Sequence, residues 1–94
     1  MPTAKVYHVI KFGNPSAIFP QDFKCVAQVE QKSASPGEAF EKTNHIDHFW
    51  WENPEVTKVV KGAVRSTSVG DVVVIDDLLY LCCPVGWEVL PQKY

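Results

Sequence analysis

Long apolar runs are missing from this chain. Its apolar runs, such as Val72-Val73-Val74-Ile75, fall far short of the about twenty residues that a membrane-spanning helix needs. The opening "MPTAKVYHVIKF" lacks a positive segment leading into an apolar core and a small-residue cleavage site. No signal peptide is therefore expected, no membrane partner, and the expected location is the cytoplasm. Arginine is nearly absent. Arg65 is the single one, beside eight scattered lysines and a formal charge of −2. Phosphate and guanine contacts favour the forked guanidinium, and nucleic-acid binders concentrate basic charge on one face. Nucleic acid is thus not the expected partner. Runs of carboxylates, which a DNA mimic would need, are missing as well.

Paired cysteines are missing too. Cys82 and Cys83 are adjacent and Cys25 stands alone. Neighbours in a strand point to opposite faces, and no pair has zinc-knuckle spacing. All three read as reduced, mostly buried thiols. There is no Gly-rich phosphate loop and no G-x-S-x-G elbow. Asp71, Asp76 and Asp77 read as solvated turn residues rather than an acid/base dyad. No catalytic residue is assigned, no cofactor is expected, and the chain is read as a non-enzyme.

What is present fits one small α+β domain spanning residues 1–94, with 46% apolar and 21% charged residues. "AKVYHVIKF" alternates and is apolar on both sides, which predicts a central strand. "GNPSAIFPQD" is a loop by its turn chemistry. "FKCVAQVEQ" predicts a strand with one wet face, Val26 being out of phase. "SASPGEAF" carries a helix start: Ser35 as N-cap, Pro36 in the first turn, and Glu38 closing a capping box. The predicted helix runs about three turns, to Asn44–Ile46. "NPEVTKVVKGAVRSTS" reads as an irregular connector with a short edge strand near Val56 to Val60. "VGDVVVIDDLLYLCCPVGWEVL" reads as a hairpin turned at Asp76-Asp77, plus a short last strand from Trp87. The expected fold is a curved, mainly antiparallel sheet of about five strands, in the order β-β-α-β-β-β, packed on one short helix.

The last third of the chain, "RSTSVGDVVVIDDLLYLCCPVGWEVL", carries Ser66, Ser68, Val69, Gly70, Asp71, Val72 and Val73, then Tyr80, then the pair Gly86-Trp87. This series resembles the YodL-like proteins of phages, plasmids and integrative elements. Cys82-Cys83-Pro84 and a very short turn depart from that pattern, and residues 1–60 lie outside it. The resemblance implies a small accessory protein of a mobile element, with no chemistry attached. Physically, Ser66 and Ser68 can bond local backbone and set the start of a strand. Gly70-Asp71 suits a turn that needs positive φ.

Candidate binding residues gather around "TNHIDHFWWENPEVT". Asn44, His45, Asp47, Trp50 and Trp51 sit there, joined by Arg65, Ser66 and Ser68. His45, Asp47 and His48 lack a further ligand at zinc spacing and suit a helix end, so no metal is assigned. Three consecutive aromatics cannot all point inward from one extended segment. Phe49 and one tryptophan are expected in the core, and the other tryptophan at an interface. The leading function is a non-enzymatic protein-binding module with an unidentified protein partner, acting through a sheet edge or this aromatic patch, with a homodimer as one form of it. The alternative is a nucleic-acid-binding accessory protein using Arg65, Lys58 and Lys61 with tryptophan stacking.

Overall fold

A computed structural model describes residues 3–13, 16–44, 49–62 and 64–93. The described elements are β1 (Thr3–Val9), β2 (Phe23–Glu30), α1 (Pro36–Lys42), a 3-10 turn (Trp50–Glu52), β3 (Val56–Lys58), β4 (Val72–Ile75), β5 (Leu78–Cys82) and β6 (Trp87–Lys93). The strands form one open antiparallel sheet in the order β3-β2-β1-β4-β5-β6. The expected α+β class and the joining of early and late strands are found. The expected number of strands is corrected from about five to six. The short edge strand expected near Val56 to Val60 is found as Val56–Lys58, paired with Ala27–Val29 at one edge of the sheet.

β1 lies inside the sheet because both of its faces are apolar. Ala4 and Val6 join one core with Val29, Ala39, Trp50, Val73 and Ile75. Tyr7 joins another with Phe19, Val72, Val74 and Leu79. Val26, out of phase in the sequence, is explained by a bulge. Val6 pairs with Ala27 and Tyr7 with Cys25, so Val26 has no partner on β1. The extra residue turns Val26 inward beside Ala27, while Phe23 and Cys25 pack on the opposite core.

The second core was not foreseen. The expected packing was against the helix alone, with the stretch after β1 as a plain loop. That loop instead sends Phe19 under the sheet, 5.0 Å from the Tyr7 ring and 5.5 Å from the Phe23 ring. At the hairpin, Asp76 and Asp77 have φ of 50° and 68°. Both central residues are thus left-handed, as a two-residue turn between right-twisted strands requires.

The helix is shorter than its capping signature predicts, and the box does not close. Ser35 occupies the N-cap without a side-chain bond. Glu38 reaches past it and accepts from the backbone N–H groups of Lys32 and Ser33. Lys42, one turn on, donates to Glu38 at 2.8 Å and to Glu55 at 2.9 Å. The helix stops at Lys42 because Thr43 caps it. Its hydroxyl donates to the Ala39 carbonyl at 2.7 Å, and its own carbonyl accepts from Thr67 N–H at 3.0 Å.

Candidate functional site

The segment 64–71 runs between the helix end and the head of β4, and it organises a buried polar cluster. Asp71 is fully buried. Read as a solvated turn residue, it is instead the hub. Its two carboxylate oxygens accept from both terminal nitrogens of Arg65, at 2.6 and 2.7 Å. They also accept from Ser68 N–H at 2.8 Å and from Val9 N–H at 3.0 Å. The forked geometry matches guanidinium to carboxylate. A buried carboxylate needs such partners to be tolerated. Gly70, at φ 96°, makes the turn that aims Asp71 inward.

Beside Asp71 runs a chain of hydrogen bonds whose direction can be worked out. Thr43 Oγ1 must donate to the Ala39 carbonyl, which can only accept. Thr43 then accepts from Thr67 Oγ1 at 2.7 Å, and Thr67 accepts from His8 Nε2 at 2.9 Å. That assigns the ring proton to Nε2. Burial holds the His8 imidazole well below its ordinary pKa, at about 4. The Asp71 charge opposes that shift and Arg65 adds to it. Neutral His8 thus ties β1 to the segment that leads into β4. Asn44 adds a bond from its side-chain amide to the Thr67 carbonyl, at 2.6 Å.

Just beyond the helix lies the aromatic patch. Trp50 is 2% exposed, and its Nε1–H donates to the Arg65 carbonyl at 3.0 Å. Phe49 is 58% exposed. Its ring stacks on Trp51 at 4.6 Å with an interplanar angle of 9°. Lys58 Nζ lies 4.2 Å from the Trp51 ring centre and also donates to the Gly62 carbonyl. The expectation that Phe49 closes the core is therefore corrected. The 3-10 turn places Trp50 inward, and the exposed ring of the triplet is Phe49. A spacing argument for an extended segment cannot anticipate this, because a 3-10 turn rotates successive side chains differently.

The predicted site residues fall into two groups. Asn44, Arg65 and Ser68 belong to the buried cluster, with Arg65 Nη1 3.4 Å from Ser68 Oγ. Ser66 lies in the same segment, half-buried. Trp51 belongs to the patch, and Trp50 anchors it from below. His45, Asp47 and His48 lie outside the described residues. His8, Thr43, Thr67 and Asp71 were missed. One signal was available: His8 shares the inward face of β1 with Ala4 and Val6, so it needs a buried partner.

A shallow groove of about 340 Å³ opens where β3 ends. Pairing of β3 with β2 stops at Val59 N–H to the Val26 carbonyl, 3.0 Å, and the chain then turns away through Gly62 at φ 82°. The groove lies between the ends of β1 and β2 and this departing segment. Burial pushes both the Cys25 and the Cys82 thiols up, which favours their protonated form. Among the described residues no group of three metal-ligating side chains comes together, and no helix is long and apolar enough to cross a membrane. No family model matches the chain, no curated protein matches it, and no solved structure matches it.

Proposed function

We infer that this chain is a non-enzymatic protein-binding module, and that the Phe49–Trp51 patch is where its partner docks. The observation that carries the reading is the exposed Phe49 ring stacked on Trp51, which in turn packs edge-on against the buried Trp50. Such a ring costs little conformational entropy to bind, because it is already fixed. Rigid aromatics at the centre of a surface patch are frequent anchors at interfaces. Lys58 extends the patch onto β3, one of the two edge strands of the sheet, the kind of element a partner strand can join. The resemblance of residues 65–90 to YodL-like proteins supports a mobile-element accessory role in the cytoplasm. The Ser-x-Ser-Val-Gly-Asp series then serves the fold, since its aspartate is spent on Arg65.

The nucleic-acid alternative is weakened by the same contacts. Arg65 is committed to Asp71, and Lys58 to Trp51 and Gly62. Of its three basic residues, Lys61 alone keeps an unassigned role.

The test places a photo-crosslinking phenylalanine analogue at position 49 in the producing cell. Discrete protein adducts at position 49, with none from the same analogue at exposed Glu41 on α1, are expected. Identical adduct patterns from both positions would overturn the assignment.

A further inference from the structure

The groove beside the end of β3 is lined by aliphatic side chains and rimmed by cations. Val9, Val26, Val60 and Val64 supply the apolar lining. Lys24 and Lys61, both exposed, line it at the solvent side, together with half-buried Arg65. Among the described residues no carboxylate lines it. Arg65 is neutralised by Asp71, so the local excess charge comes from the two lysines. This stands out on a chain whose formal charge is −2. Ile10 also lines the groove and is exposed.

We propose that this groove binds an acidic, aliphatic peptide segment of the partner, its carboxylates on Lys24 and Lys61 and its aliphatic side chains on the valines. The proposal deepens the protein-binding reading and rests on it. Charge complementarity selects the occupant: a cationic rim steers carboxylates and repels basic segments. The lining selects peptide over nucleic acid. Base stacking needs an open aromatic face. Among the described residues no phenylalanine, tyrosine or tryptophan lines the groove. The backbone suits an extended ligand. Phe23–Cys25 of β2 continue past the last pairing with β3, so a strand-like segment can lie where β3 leaves off.

The probe is a fluorescein-labelled octapeptide alternating glutamate and valine. Two counterparts accompany it, with lysine or glutamine in place of glutamate, together with a labelled oligothymidylate. Amide chemical shifts of the whole chain are followed by NMR. The glutamate peptide is expected to shift His8, Lys24, Val26 and Lys61, and to weaken as salt is raised. The lysine and glutamine peptides and the oligothymidylate should shift none of these. Lys24→Glu combined with Lys61→Glu should weaken the glutamate peptide about tenfold or more, since each exposed pair supplies up to about a fivefold effect. The same double variant should gain binding of the lysine peptide. Phe49→Ser should leave these shifts in place, which separates failure of the groove from failure of the aromatic patch. Equal shifts from the glutamine peptide, stronger binding of the oligothymidylate, or a charge reversal without effect would each overturn the assignment.

Discussion

Asp71→Asn tests the buried cluster most sharply. The change keeps the shape of the side chain and removes its charge. Arg65 then faces a neutral amide at the 2.6 and 2.7 Å positions, where one of the two contacts becomes donor against donor. Ser68 and Val9 N–H groups also lose an anionic acceptor. Breaking one side of a buried ion pair costs about 3–5 kcal/mol. Arg65 is one-third exposed and can recover some hydration, so the lower end, about 3 kcal/mol, applies. For a chain of this length that corresponds to a loss of more than about 12 °C in Tm. It is also a large part of the 5–15 kcal/mol that usually holds such a domain. Urea titration at pH 7 with tryptophan fluorescence is the assay, and exposed Asp76→Asn is the control, expected within about 0.5 kcal/mol. A loss below about 1 kcal/mol for Asp71→Asn would refute the hub role.

Other perturbations follow from the same geometry. The folded-state pKa of His8 is lowered to about 4 from 6.5, so its contribution is fully present above pH 6.5 and is lost as pH falls toward 4. Unfolding free energies from urea titrations across pH 7 to 4.5 should decline by about 2 kcal/mol from this group. His8→Gln should remove that component of the slope. Trp50→Ala should cost about 3–5 kcal/mol by cavity formation and loss of the Arg65 carbonyl bond, read by calorimetry. Phe49→Ser should change stability by about 1 kcal/mol at most. Gly70→Ala, forced to φ 96°, should cost about 1 kcal/mol or more in the same melts, although a methyl group there meets no other atom.

The elements that were legible in the sequence are those whose pattern is local. β1 showed its interior position through apolar residues on both faces, and β4 and β5 showed their hairpin through two β-rich runs split by Asp76-Asp77. The bulge at Val26 was visible only as a break in phase, since its cause lies in pairing with β1. The capping box failed because Glu38 found better donors in Lys32 and Ser33, a competition that no local motif encodes. The Asp71 hub was hidden for a similar reason. Its partners Val9 and His8 are some sixty residues away in the chain, and only the β1–β4 pairing brings them near. Phe49, expected in the core, lies exposed because a 3-10 turn replaced the extended segment assumed for the triplet.

The measurement that bears most directly on the binding face runs partner retention and melting side by side on Phe49→Ser. The variant should melt within about 5 °C of the parent chain and should no longer retain the protein that crosslinks at position 49. Undiminished retention, or a collapse of the fold on removing that ring, would place the docking surface elsewhere.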